Sequence, residues 1–325
     1  MKPVLYTLIA LIIVAGLVLG GALGYGWHLF KSPGPLETET VYLLEKGTGL
    51  RALAADLEKN TIINNNLAFV FGVRLKENAA RLQAGEYLVP AGISGMDLMA
   101  LFVSGKVIER RLTIPEGLQS REIKALVEAA PGLAGEITRE MPEGAFLPET
   151  YQYRLGDSRD ELIGRMAAAM QGAIASVIAT TPLPKEIKSP EELVILASIV
   201  EKETAVPEER PRVAGVFLNR LRKGMMLQSD PTVVYGVTLG TRDLGRPLSK
   251  KDLATPTAYN TYQMMGLPKG PIANPGLESL SAVLQPEETK FLYFVADGTG
   301  GHAFSTTLDG HNDNVRKWRK LNKNK

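Results

Sequence analysis

The sequence contains no cysteine, and only three histidines and two tryptophans in 325 residues. Without cysteine no disulfide can staple a small core and no thiolate can hold zinc, although the compartment stays open. His28, His302 and His311 are too few and too scattered to make a metal site, so no metal and no cofactor are expected. Long basic runs are also missing. The net charge is +2, and the short tail Arg316 to Lys325 reads as a solvated end, so nucleic acid is not an expected partner. No Gly-x-Ser-x-Gly elbow, internal repeat or low-complexity segment is present. This weakens a serine hydrolase built on Ser305 with His302 or His311.

Charge itself is absent from one stretch. Between Pro3 and Phe30 there is no Lys, Arg, Asp or Glu, and such a run can cross roughly 30 Å of hydrocarbon as a helix. Tyr25 and Trp27 near its end suit an interfacial belt. A cleaved signal peptide is the rival reading, favoured by the small residues around Ala22 and Gly24. Its apolar core is usually about 7 to 15 residues, shorter than this run. Lys2 marks the short side as cytoplasmic. The remaining chain, in a sequence that is 45% hydrophobic, is long enough for one large domain or two smaller ones.

After the anchor, Ser32 to Thr40 reads as a Pro-, Gly- and Glu-rich linker. Val41 to Leu44 and Gly85 to Val89 read as strands. Leu50 to Lys59, Asn66 to Leu75 and Met96 to Val103 read as helices. Strand, helix, helix, strand in this order resembles a LysM module, a small fold that binds N-acetylated glycans. Leu112 to Ile114 is a further strand, Ser120 caps a helix beginning near Arg121, and Glu143 to Tyr151 is an ordered loop. Asp160 to Thr180 is a long helix with Leu162, Met166, Met170 and Ile174 as core fillers. Phe291 to Ala296 should be the last strand.

The chain is organised around Lys188 to Thr204. Ser189, Pro190 and Glu192 spell a helix start with a capping box. Leu193, Leu196, Ala197 and Val200 form an apolar face. At about 100° per residue, Glu201 and Glu203 fall on opposite borders of that face, and helical geometry does not choose between them. A carboxyl group at an apolar border can be held protonated near neutral pH, as a general acid requires. Downstream, Gln228, Ser229 and Asp230 sit in a turn. Tyr259, Asn260, Tyr262 and Asn274 lie in Pro- and Gly-rich loops of the kind that carry function. Tyrosine faces and amide groups suit a sugar.

The phrases ILASIVEKET, NRLRKGMMLQSDPTVVYG, AYNTYQMMGLPKGPIANPG and YFVADGTGGHAFSTTLDGHN, in this order behind an anchor, resemble the endolytic murein transglycosylases, the YceG-like family. The resemblance implies a bacterial inner-membrane enzyme with a single span, a cytoplasmic N-terminus and a catalytic domain on the periplasmic side. It implies cleavage of the MurNAc-β-1,4-GlcNAc bond of nascent peptidoglycan strands to 1,6-anhydro-MurNAc ends. It also implies penicillin-binding proteins and other wall-synthesis proteins as partners, and Glu201, the first Glu of the EKE triplet, as catalytic acid. Gln228, Ser229, Asp230, Tyr259, Asn260, Tyr262 and Asn274 are the candidate substrate-binding residues, with Gln228 and Asn260 orienting the N-acetyl group. The expected fold class is α+β. An anchor over residues 1–31 and a linker over 32–40 precede a LysM-like domain over 41–110 and a catalytic domain over 111–325. A two-carboxylate hydrolase, with Asp230 or Glu203 as second carboxylate, and a non-enzymatic glycan-binding protein remain as alternatives.

Overall fold

A computed structural model describes residues 2–323. The chain divides into two compact units, residues 1–110 and 111–325.

The first unit begins with α1 (Lys2–Lys31), followed by β1 (Thr40–Leu44), α2 (Leu50–Lys59), α3 (Asn66–Leu75), β2 (Gly85–Val89) and α4 (Gly95–Ser104). β1 and β2 pair antiparallel, from Thr40 opposite Val89 to Leu44 opposite Gly85. Alternation then aims Tyr42, Leu44, Tyr87 and Val89 inward. They meet Leu53 and Leu57 of α2, Phe69 and Val73 of α3, and Leu98 and Phe102 of α4 in one core. The elements follow the expected order.

Two features of this unit were not legible. The apolar side chains of α1 from Leu5 to Tyr25 stand exposed, as suits a helix whose surroundings are lipid, but Phe30 is buried in the core beside Phe69. The fit is close: a Cβ on Gly72 would lie 2.4 Å from the Phe30 ring. The following segment, expected as a linker, is also fastened. The Gly34 N–H donates to the Ile93 carbonyl at 3.0 Å, and the Leu36 carbonyl accepts from the Gly92 N–H at 2.8 Å. Its prolines and glycine serve close packing rather than looseness.

The second unit contains all but the first residue of β3 (Arg110–Thr113), then α5 (Ser120–Ala129), β4 (Thr150–Tyr153), α6 (Arg159–Thr180), α7 (Pro190–Glu203) and α8 (Arg210–Arg222). After them come α9 (Asp230–Thr238), α10 (Lys250–Ala254), α11 (Leu277–Leu284), β5 (Tyr293–Ala296), β6 (His302–Ser305) and α12 (Leu308–Lys323). β3 pairs with β4, and β5 with β6. The whole is a mixed α and β fold. β5 is not the last strand. β6 turns back on it, Tyr293 opposite Ser305, and the basic tail continues as helix α12.

α6 joins two cores. Leu162, Ile163 and Met166 pack with Ile123, Tyr151 and Tyr153, whereas Met170 and Ile174 pack with α7, α8 and α11. The helix is long and apolar enough to cross a membrane, yet this stripe is buried in the unit. α7 lies at the centre of the second core. Ser189 accepts from the Glu192 N–H as expected, but the Glu192 carboxylate reaches the Lys188 N–H instead of that of Ser189. From Leu193 to Val200 every residue is buried, so α7 is enclosed on all sides rather than on one face. Past the exposed Pro190 and Glu191 of its first turn, it emerges again only in its last turn, where Glu201 and Glu203 stand.

Candidate active site

Two residues at about 100° each put Glu201 and Glu203 roughly 200° apart around α7. They leave the helix into different surroundings.

Glu201 enters an ion-pair cluster. Its carboxylate accepts from the Arg210 guanidinium at 3.2 Å and from the Gly276 N–H at 3.0 Å. Its side chain is 5% exposed. Arg210 is itself buried and also pairs with Glu116, at 2.7 Å, and with Glu278. The Glu116 carboxyl is pushed up, chiefly by burial and by the neighbouring Glu201 charge. These bonds tie α7, α8 and the start of α11 together. A carboxylate so engaged is held in place.

Glu203 lines a cleft of about 420 Å³ with Arg220, Gln228, Asp230, Tyr262, Tyr293 and His302. That is the size range of small-ligand sites. Ser229 donates its hydroxyl to the Glu203 carboxylate at 2.5 Å. Burial pushes the Glu203 carboxyl up to about 7, with the negative charge of Asp230 adding to the effect, while Ser229, His302 and Arg220 oppose it. Its place at the C-terminal end of α7, where the helix dipole is negative, works in the same direction.

The walls come from segments far apart in sequence. Arg220 of α8 donates to the carbonyls of Leu292, Met226 and Leu227 at 2.6, 3.0 and 2.9 Å, which fixes the Met226–Leu227 turn against β5. It also lies over the Tyr293 ring at 5.1 Å. Gln228 adopts φ +53°, a left-handed conformation unusual for a side-chain-bearing residue. Its N–H donates to the Thr261 carbonyl at 3.1 Å, and its side chain accepts from Arg220 at 3.2 Å. Tyr262 donates its hydroxyl to Asp230 at 2.7 Å. Burial and that carboxylate push the Tyr262 phenol up, so it stays protonated. His302 is held from behind, its backbone N–H and Nδ1 lying 2.9 and 2.7 Å from the Glu209 carboxylate. His311 stacks on Tyr293 with centroids 5.4 Å apart. Burial and Arg220 push its pKa down, so His311 is a neutral ring at neutral pH.

The structure therefore sorts the sequence candidates. Gln228, Asp230 and Tyr262 line the cleft with Glu203, and Ser229 bonds to Glu203. Glu201 is not among the lining residues. Asn260 is fully buried and spends its amide on the chain: Nδ2 donates to the carbonyls of Asp252, Leu253 and Thr255, and Oδ1 accepts from the Tyr262 N–H. It shapes the loop that presents Tyr262 and has no group left for an N-acetyl. Asn274 is likewise buried, bonded to Phe146, Leu118, Ser120 and Glu143. Tyr259 packs on Tyr235 at 4.7 Å between ring centroids. Ser305 forms no catalytic pair, since its hydroxyl has no hydrogen-bond partner among the described residues and the Nδ1 of His302 is taken by Glu209. The sequence reading missed Arg220, Tyr293 and the Glu209 support of His302. The rarity of histidine was the available signal, because two of the three sit in one phrase near the C-terminus.

Comparison with known proteins agrees with this architecture. An endolytic murein transglycosylase of Bacillus subtilis is 30% identical over 93% of this chain and 91% of its own length. One from Streptococcus pneumoniae is 29% identical over 94% of this chain, which spans 63% of that longer protein. A crystal structure of a yceG-like protein from Listeria monocytogenes superposes with a TM-score of 0.52 at 29% identity, covering 85% of this chain and 99% of that one. The model of the YceG-like family matches residues 42–317, both strand pairs of the second unit and the whole cleft included, and on that match the chain belongs to the YceG-like family.

Proposed function

We propose that this protein is a lytic transglycosylase of peptidoglycan, and that Glu203 is its single acid and base. The observation that carries the reading is the Glu203 carboxyl with a pKa of about 7 in the floor of a polar, tyrosine-lined cleft. A group titrating there is protonated in a large share of molecules at neutral pH and can still accept a proton later.

The reaction needs one such group. Glu203 gives its proton to the O4 leaving oxygen as the C1–O4 bond breaks, and positive charge develops at C1 and the ring oxygen. The carboxylate left behind then takes the proton of the same sugar's C6 hydroxyl as its oxygen bonds to C1. The product is a 1,6-anhydro end, and no water is consumed. Ser229, fixed by its hydrogen bond, keeps the carboxylate aimed. Gln228, Tyr262 and Tyr293 offer an amide, a phenol and a flat ring to the sugars. The His302 ring, braced by Glu209, faces the same space.

The resemblance to the family implied the first Glu of the EKE triplet. The geometry supports the second, because Glu201 is committed to Arg210 and Gly276. Hydrolysis with Asp230 as second carboxylate is a distinct reading, favoured by Asp230 sharing the cleft. Against it, Asp230 is bound to the Tyr262 phenol. Mass spectrometry of purified wall sacculi after digestion separates the two. Anhydro ends, lighter by one water than reducing ends, support the transglycosylase, and reducing ends alone support the hydrolase.

The rest of the reading concerns place. α1 is long and apolar enough to span a bilayer. We assign it as a single inner-membrane anchor with a cytoplasmic N-terminus. This puts the first unit, LysM-like in its order of elements, and the catalytic unit on the wall side. Nascent strands and the synthases that make them are the partners this location offers.

A further inference from the structure

The first unit carries exposed apolar surface that its own core does not use. On α3, Ala68, Phe69, Gly72 and Val73 face inward. On the opposite side Leu67 is 75% and Leu75 58% exposed, with Phe71 half-buried between them at the same i, i+4 spacing. A stripe of large apolar residues on a ten-residue surface helix is unusual for a face turned to water.

The stripe is continuous with the membrane span. α3 packs along the end of α1, where a Cβ on Gly26 would touch the Phe71 ring at 3.9 Å. Gly26 lies inside the apolar segment Leu5–Lys31. One turn further on, Phe30 is locked beneath Gly72 of α3. So α3 is fixed to α1 at the level where the span ends. That level is marked by Trp27, whose ring receives Lys31 at 5.2 Å and Lys76, just beyond α3, at 5.7 Å. Tryptophan flanked by lysines is the composition of the headgroup layer. Arg74, on the exposed face, has a stem long enough to carry its charge outward to phosphates.

We propose that the Leu67–Phe71–Leu75 face of α3 is seated in the headgroup and shallow acyl region of the bilayer that α1 crosses. α3 is then a second, interfacial contact. The first unit does not swing on a tether but stands on the membrane at a height set by α1, because the Phe30 lock leaves no free hinge between them. The proposal rests on α1 being a membrane span.

The absence of native cysteine makes the test direct. Single-cysteine variants Leu17→Cys, Leu67→Cys, Leu75→Cys and Lys46→Cys of the full chain are labelled with a small environment-sensitive fluorophore. Each is reconstituted into vesicles of phosphatidylethanolamine and phosphatidylglycerol. All four positions are exposed, so the substitutions do not disturb packing. Nitroxide-bearing lipids then quench the labels by depth. Leu17 should be quenched most by deep nitroxides. Leu67 and Leu75 should be quenched most by headgroup and shallow-chain nitroxides, matching an interfacial helix roughly 5–10 Å deep. Lys46, in the turn after β1, should be quenched by aqueous iodide alone. If Leu17 responds to lipid nitroxide and Leu67 and Leu75 behave like Lys46, the proposal is wrong and α1 is a plain tether. If Leu17 itself is not quenched, the anchor reading fails first.

Discussion

Exchanging each glutamate of the EKE triplet for glutamine separates catalysis from scaffolding. Glu203→Gln keeps the size of the side chain and an oxygen for the Ser229 hydroxyl, but it cannot cycle a proton. Loss of general acid–base catalysis costs about 10²–10⁴-fold, or about 3–5 kcal/mol in the activation barrier. Stability should move the other way. Because the Glu203 pKa is raised from 4.5 to about 7, the folded protein holds this proton more tightly than the unfolded chain does. The stabilisation from that proton is complete below the ordinary glutamate value and is lost as pH rises toward 7. By linkage the loss is on the order of 3 kcal/mol at most. Glutamine does not titrate, so the variant should gain melting temperature relative to wild type between pH 5 and 8, by roughly the same energy. Glu201→Gln should do the reverse. It removes one charge from the buried Arg210 cluster, which should cost about 1–3 kcal/mol, while activity per folded molecule stays within a few-fold of wild type. The assay is release of anhydro ends from sacculi, read by mass spectrometry, beside thermal melts of both variants. A Glu203→Gln protein that cuts at the wild-type rate, next to a well-folded but inactive Glu201→Gln protein, would refute the assignment and restore the first glutamate.

Four further outcomes follow from the same geometry. In wild type, kcat/KM should fall as pH rises through about 7, since the resting enzyme needs Glu203 protonated. Asp230→Asn removes the neighbouring negative charge, so this alkaline limb should move to lower pH while anhydro products persist. An Asp230→Asn protein as inactive as Glu203→Gln, with reducing ends in wild type, would favour the hydrolase. Glu209→Gln should weaken the hold on His302 and lower turnover more than substrate affinity; an unchanged pH profile and rate would show that His302 needs no support. Finally, a chain beginning at Glu39 loses Phe30 from the first unit's core, and removal of a buried Phe costs about 3–5 kcal/mol. That unit should melt well below the same unit in a chain beginning at Gly26, and equal melting temperatures would contradict the packing of Phe30.

The sequence by itself determined what is local. The start of α7 was legible because Ser189, Pro190 and Glu192 act within one turn. The strand–helix–helix–strand order of the first unit was legible from short-range periodicity. The long uncharged run Pro3 to Phe30 was legible from composition alone, and four ordered phrases carried the family. Tertiary structure decided what depends on neighbours from elsewhere in the chain. Glu201 and Glu203 are separated by one residue and share the same helix, so no local rule ranks them. What gives them different surroundings is that α8 and the Gly276 loop bring Arg210 and an N–H to one, while the Ser229 turn, β5 and β6 close a cleft over the other. The same limit applies to Asn260 and Asn274, which read as sugar ligands until the carbonyls they hold come into view. It applies again to Phe30, whose place in the core depends on the absence of a Cβ at Gly72, forty-two positions away in sequence. A pKa, a hydrogen-bond allotment and a packing fit are properties of surroundings, and those surroundings exist only once distant segments have met.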